Sequence, residues 1–208
     1  LPVLGELAVT YACNHKCKFC YAGCTTENPK ANLKELDTQG LKNIIALFKT
    51  QAKIPFFSFT GGEPLFRPDL EELAAYATQL GLRINLITNG TLATPKRALS
   101  LYQAGFRTAQ VSLESPQEEE HDRLTGIKGS FSKALKGIQA LQQAGIKVQT
   151  NTTLTALNHH SLLELPAFLV SLGINRMSLN LFIPVGTGQE WFQDLYLSYS
   201  KVGEIVDK

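Results

Sequence analysis

The sequence predicts an α/β fold in which six strand–helix units follow one another along a parallel sheet. The first observation behind this is a pattern repeated four times: a helical stretch, a glycine, one apolar residue and a short β-like run. It reads Gln79-Leu-Gly81-Leu-Arg-Ile-Asn-Leu-Ile, Gln103-Ala-Gly105-Phe-Arg-Thr-Ala-Gln-Val, Gln143-Ala-Gly145-Ile-Lys-Val-Gln-Thr and Ser171-Leu-Gly173-Ile-Asn-Arg-Met-Ser-Leu. A glycine just past a helix takes up the left-handed conformation that closes it, so each repeat marks a helix-to-strand hinge. The second observation is that every crossover is long enough to hold a helix, and such alternation means parallel strands with right-handed connections.

Taken in order, the first strand fits around Leu7–Thr10, followed by a helix over residues 34–50 and a second strand at Phe56–Thr60. The four hinges then place strands at about residues 83–88, 107–113, 147–153 and 176–182, each followed by polar turns and new helical periodicity. A doubly wound sheet and a partly closed barrel both satisfy this periodicity. In either, ligands collect at the carboxyl ends of the strands. Those ends are polar here: Thr60-Gly61-Gly62-Glu63-Pro64, Thr88-Asn89-Gly90, Ser112 with Glu114, and Asn151 with Thr153. The sixth strand runs out through Ile183-Pro184-Val185-Gly186. Polar turns are ordinary one at a time, but four in a row after apolar strands favour one shared site.

Composition narrows the class. A chain of 208 residues, 44% hydrophobic, can bury a substantial core as one domain. Its 20 basic and 18 acidic residues leave a net charge of +2, which gives no electrostatic footprint for nucleic acid or an anionic membrane. No apolar run approaches a membrane span, and a cytoplasmic protein is the expectation. The closing stretch Ser200-Lys-Val-Gly-Glu-Ile-Val-Asp-Lys208 reads as the opening turns of a helix, which predicts that the natural chain continues.

All four cysteines fall within Cys13-Asn-His-Lys-Cys-Lys-Phe-Cys-Tyr-Ala-Gly-Cys24, directly after the first strand. Secreted disulfide scaffolds spread their thiols along the chain, so this bunching reads as metal binding in a reducing compartment. Zinc commonly takes two close pairs from separate places in the chain. No second pair exists, although Cys24 or His15 could complete a local set. A redox C-x-x-C pair would leave two thiols unexplained. An iron–sulfur cube held by three thiolates leaves one iron open to a substrate or cofactor.

Cys13–Cys20, in the form C-N-x-x-C-x-F-C-Y, and Phe59-Thr-Gly-Gly-Glu-Pro64 together resemble the two signatures of the radical S-adenosylmethionine (SAM) enzymes. The resemblance continues through Ile87-Thr-Asn-Gly-Thr91, Val111-Ser-Leu-Glu-Ser115, His121-Asp-Arg123, Gly129-Ser-Phe131 and Asn151-Thr-Thr153, and so covers nearly the whole chain. It is strongest to the SPASM and twitch branch, whose members carry a cysteine-rich C-terminal extension and modify peptides, enzyme side chains or tetrapyrroles. The resemblance implies an incomplete parallel (β/α)6 TIM-like barrel, with residues 1–208 as the core domain and the extension absent from this chain. It also implies a [4Fe-4S] cluster on Cys13, Cys17 and Cys20, with SAM chelating the open iron. Reductive cleavage of SAM would then yield a 5′-deoxyadenosyl radical that abstracts a substrate hydrogen. Expected partners are a peptide, protein or tetrapyrrole-like substrate and an external electron donor such as a flavodoxin or ferredoxin.

The resemblance also assigns SAM contacts. Gly61 and Gly62 would let the backbone approach the methionine moiety, and Glu63 would accept hydrogen bonds from its ammonium group. Thr88, Asn89 and Ser112 fall where the family binds carboxylate and ribose, with Glu114 nearby and Asn151 as a further polar candidate. Phe19 and Ile183 resemble the adenine-contacting positions. Arg123 is a candidate for the SAM carboxylate, with Asp122 or Glu118-Glu-Glu120 as its ordinary partners. Cys24 reads as a spare thiol in the loop or as a residue near an auxiliary cluster, since full ligation would block SAM. His15 is expected to be an exposed loop residue. His159 and His160 fit a helix start capped by Asn158 better than a metal site. Phe56, Phe57, Phe59 and Phe66 read as core. Lys16 and Lys18 could lower a thiolate pKa or help dock an electron donor, with solvated loop lysines as the ordinary reading. Gly186–Trp191 fits a substrate lid or an ordinary loop. The rivals are a zinc-binding protein and an electron-transfer protein using the same four cysteines.

Overall fold

A computed structural model describes residues 2–24 and 35–206. Six strands, β1 (Leu4–Thr10), β2 (Phe56–Gly61), β3 (Arg83–Thr88), β4 (Thr108–Ser112), β5 (Lys147–Leu154) and β6 (Met177–Leu181), form one sheet. They pair in sequence order and all neighbours are parallel. The order runs β1 to β6 without returning on itself, so the sheet is an open barrel with a seam between its first and last strands.

The helices are α1 (Thr38–Thr50), α2 (Leu70–Gln79), α3 (Pro95–Ala104), α4 (Glu118–Thr125), α5 (Ser130–Gln143), α6 (Leu165–Ser171), α7 (Phe192–Leu195) and α8 (Tyr199–Val206). The four hinge glycines all adopt the left-handed conformation, with φ of 75° at Gly81, 116° at Gly105, 90° at Gly145 and 73° at Gly173. This is why the strand positions were legible. Helix starts follow equally local chemistry: Asp37 accepts from Gly40 N–H at 2.7 Å, and Thr94 accepts from Arg97 N–H ahead of Pro95. Residue 34, the expected start of α1, lies outside the described residues. The expected terminal helix is present as α8.

Strand alternation divides the sheet into two faces. Phe57, Phe59, Ile84, Leu86, Ala109 and Val111 are buried within the main hydrophobic cluster, which also takes in residues of α1, α2, α3, α5 and α6. Phe59 meets Phe57 and Phe106 edge-on at centroid distances of 5.1 and 5.5 Å, an arrangement worth about 1 kcal/mol per pair beyond area burial. The opposite, inward face is polar. Asn85 donates to Ser58 Oγ and accepts from Thr108 Oγ1, and Asn180 donates to Asn151. Phe56 and Phe66, expected in the core, are 40% and 42% exposed. Phe56 has the inward parity of Ser58, and Phe66 belongs to the short 3-10 turn after β2. At the amino ends of the strands a cleft of about 750 Å³ is lined by Phe56, Arg83, Arg107 and Arg176, at the end away from the cysteines. Among the described residues no helix is long and apolar enough to cross a membrane.

Candidate functional site

The cysteine loop leaves β1 at Thr10 and is fastened to the second strand end by the glycines that follow it. Gly62 N–H donates to Thr10 O and Glu63 N–H to Ala12 O, both at 2.8 Å. A Cβ on Gly61 would meet Thr10 O at 2.2 Å, and one on Gly62 would meet Ala12 O at 2.3 Å. The Cβ side of both glycines is therefore filled by the cysteine loop itself. The expected close approach exists, but on that side the approaching backbone belongs to the protein rather than to a ligand.

Glu63 is fully buried and braces the next strand end. Its carboxylate accepts from Thr88 Oγ1 at 2.7 Å, Asn89 N–H at 2.8 Å and Leu65 N–H at 3.0 Å. Burial pushes its pKa above the usual carboxylate range against those three donors. Asn89 carries the bracing onward. Its amide donates to Asn14 Oδ1, its oxygen accepts from Thr91, and its side chain also bonds to Cys13. Asn14 in turn donates to Thr91 Oγ1. The Asn in the C-N-x-x-C pattern thus ties the cysteine loop to the turn after β3, a task the sequence reading left unassigned.

A second set of contacts secures the far side of the loop. Lys16 and Lys18 donate their backbone N–H groups to Thr125 O and Leu124 O at 2.9 Å, on the last turn of α4. Thr187 N–H donates to Cys20 O at 3.0 Å, and Lys18 Nζ lies 3.9 Å from the centroid of the Trp191 ring. Lys18 is thus stacked rather than solvated. The Gly186–Trp191 segment is a clasp on the cysteine loop, and it brings Phe19 and Ile183 onto two stretches that meet.

The thiols are not equivalent. All four are free. Burial pushes Cys13 up to about 11 and raises Cys17 as well. Cys20 goes the other way, to about 6, because the Cys24 thiol and the backbone N–H groups of Cys24, Ala22 and Gly23 all hydrogen-bond to its sulfur. Cys24 is buried and its hydrogen bond is spent inside the loop. Cys13, Cys17 and Cys20 act on one another electrostatically, so their sulfurs converge. Yet among the described residues no three His, Cys, Asp or Glu side chains are set to share a single metal ion. Three thiols within electrostatic reach of one another, the third of them hydrogen-bonded by Cys24, match the donor set of an iron–sulfur cluster held by three cysteines.

Glu114, just past β4, is also buried. Its Oε2 accepts from Thr153 N–H at 2.7 Å, and burial lifts its carboxyl to about 8. Its backbone N–H donates to His121 Nδ1 at 3.1 Å and its carbonyl accepts from Asn158 Nδ2 at 2.6 Å. Asn158 therefore bridges the ends of β4 and β5 instead of capping a helix; the chain turns through residues 156–161 and α6 begins only at Leu165. Ser112 pairs in register with Asn151 on the inward face. Asp122 does not pair with Arg123. It accepts from Gly129 N–H, from Ser130 Oγ at 2.9 Å and from Phe131 N–H at 2.9 Å, so it caps α5, while Arg123 points to solvent. His159 and His160 lie against each other, with ring centroids 3.6 Å apart and planes tilted by 42°. His15, expected in solvent, is 3% exposed, because α4 covers the loop at that point.

The family model for the Radical SAM superfamily matches residues 7–181. The chain belongs to the radical SAM superfamily. Its cofactors are accordingly a [4Fe-4S] cluster and SAM. Among curated relatives it is 39% identical over 178 residues to the AdoMet-dependent heme synthase of Oleidesulfovibrio alaskensis, covering 86% of this chain and 45% of that protein. It is 29% identical over 207 residues to the mycofactocin maturase MftC of Mycolicibacterium smegmatis, covering 99% of this chain and 51% of that protein. The chain thus spans about half the length of the curated relatives it matches. The crystal structure of Streptococcus suis SuiB bound to S-adenosylmethionine superposes with a TM-score of 0.78 at 18% identity, over all of this chain and 46% of that one. At that identity the likeness shows the fold alone.

Proposed function

We propose that residues 1–208 are the core domain of a longer radical SAM enzyme that modifies a peptide, a protein side chain or a tetrapyrrole, with Cys13, Cys17 and Cys20 as the cluster ligands. The observation that carries the ligand assignment is the loop itself. Three thiols converge within a frame fastened to β2, β3, α4 and the segment after β6, and Cys24 is committed to Cys20. When bound and reduced, the cluster supplies the electron that cleaves SAM and so generates the hydrogen-abstracting radical.

The chain's own residues divide the remaining work. Gly62, Glu63 and Asn89 hold the loop in shape and so fix where its donor atoms stand. The polar inward face at Ser112 and Asn151, with Thr88, Asn89 and Glu114 at neighbouring strand ends, offers hydrogen bonds to a ribose and an amino-acid headgroup. Phe19 and Ile183 flank the same region as apolar walls for an adenine ring. The open seam suits a bulky substrate, and relatives named for heme synthesis and for mycofactocin maturation support both substrate classes. An external one-electron donor of the flavodoxin or ferredoxin kind is required, and free thiols favour a reducing, cytoplasmic setting.

The test is anaerobic reconstitution with iron and sulfide, then SAM and dithionite, with 5′-deoxyadenosine as the product measured. Formation of 5′-deoxyadenosine that is lost in Cys17→Ala supports the assignment. A cluster whose EPR signal ignores added SAM overturns it.

A further inference from the structure

His15 lies midway between two of the three candidate ligands and is buried beneath α4. It meets both neighbouring sulfurs. Its backbone N–H donates to Cys13 Sγ at 3.4 Å, and its ring Nδ1 is 3.9 Å from Cys17 Sγ. The other ring nitrogen, Nε2, is buried without a hydrogen-bond partner among the described residues. With Cys17 a thiolate, as a cluster ligand must be, that combination decides where the ring proton resides. On Nε2 it would leave a buried donor unmet and aim the bare Nδ1 lone pair at an anionic sulfur. On Nδ1 it forms a charge-assisted N–H···S bond and leaves only one unmet acceptor. A charged ring would donate from Nδ1 as well, so the contact does not depend on the protonation state.

His121 supports the same tautomer. Its Nδ1 accepts from Glu114 N–H, so a neutral His121 ring carries its proton on Nε2, which is likewise buried and unpartnered. His15 acts electrostatically on His121, so the two rings are neighbours. One leftover atom is a donor and the other an acceptor, which is the complementary arrangement. Four residues on, Thr125 O holds the backbone N–H of Lys16, so one face of α4 sets both the loop and the rings.

We propose that His15 is a positioning residue for the iron–sulfur cluster, donating Nδ1–H to the Cys17 thiolate and thereby raising the cluster's reduction potential. Reduction adds an electron whose charge is shared by the ligand sulfurs, so a donor to sulfur stabilises the reduced form more than the oxidised form. The inference rests on the cluster assignment to Cys13, Cys17 and Cys20.

The experiment is an EPR-monitored redox titration of the reconstituted chain with dithionite, before SAM is added. His15→Leu removes the donor while keeping bulk, and should lower the one-electron reduction equilibrium constant about tenfold, equivalent to about 59 mV. His15→Asn, whose amide N–H falls near the Nδ1 position, should recover most of that loss. A purely packing role would move the melting temperature of both variants and leave the potential alone. An unchanged potential in a fully loaded His15→Leu protein overturns the inference. Should His15→Leu hold no iron, pulsed EPR of the parent carrying 15N-histidine decides. A weak nitrogen coupling that disappears in His15→Asn supports the bond, and its absence from the parent overturns it. A parent that binds no iron and sulfide at all overturns the cluster assignment, and the inference with it.

Discussion

Replacing Gly62 by alanine tests the claim that the second strand end fixes the cysteine loop. The added methyl would lie 2.3 Å from Ala12 O, 2.8 Å from Ala12 C and 2.9 Å from Tyr11 O. All three atoms are backbone, so no rotamer change relieves the contact. The loop must retreat by about 0.7 Å to reach a tolerable separation, which stretches the 2.8 Å bond from Glu63 N–H to Ala12 O to about 3.5 Å, the edge of hydrogen bonding. Overpacking costs about 1–3 kcal/mol, and weakening the two loop hydrogen bonds adds about 0.5–1.5 kcal/mol each. The sum of about 2–6 kcal/mol corresponds to a fall of about 4–24 °C in Tm for a chain of this size. Cys13 follows Ala12 directly, so iron retention after reconstitution should fall in step. Gly203→Ala is the control: its new Cβ meets no heavy atom within 4 Å, and helix propensity predicts slight stabilisation. Thermal unfolding and iron analysis read both effects. A Gly62→Ala protein with the parent's Tm and full iron content would refute the docking argument.

Other substitutions probe separate parts of the frame. Glu63→Gln replaces one accepting oxygen with an NH2 that faces a donor, and should cost about 2–3 kcal/mol in urea unfolding. Glu114 has a folded pKa of about 8, above its ordinary value, so its contribution to stability is complete below about pH 4.5 and is lost as the pH rises through about 8. Glu114→Gln should flatten that slope, which is at most about 1.4 kcal/mol per pH unit. Urea midpoints of parent and variant that run parallel between about pH 5 and pH 8 would count against it. Cys24→Ala should keep its cluster and Cys17→Ala should lose it, by iron and sulfide analysis. Asp122→Ala removes the remote cap on α5 and should cost about 1–2 kcal/mol.

The fold was legible because its punctuation is local. Gly81, Gly105, Gly145 and Gly173 each end a helix by a backbone conformation that other residues resist, so the strands after them could be placed within a residue or two. The cysteine loop and the G-G-E-P turn were legible as motifs, but their relation was not. Gly61 and Gly62 stand out in the motif, but only the fold shows that their missing side chains also admit the loop backbone. His15 and Asn158 were misread for a related reason. Each stands in a stretch with no periodicity, and their burial depends on α4 and on the β4 and β5 ends, elements far away in sequence. Asp122 and Gly129-Ser-Phe131 belonged to separate quoted motifs, and only the fold shows that they are one cap. Phe56 failed because strand parity aimed it into the polar bore, where apolar bulk is not covered.

The fastenings of the cysteine loop spread responsibility for its shape over most of the chain. It is tied to two strand ends, to α4 and to the segment beyond β6, so contacts as far apart in sequence as Gly62, Thr125 and Thr187 converge on a dozen residues. Damage at any one of those remote anchors should therefore be felt among the thiols, even where the altered residue touches none of them.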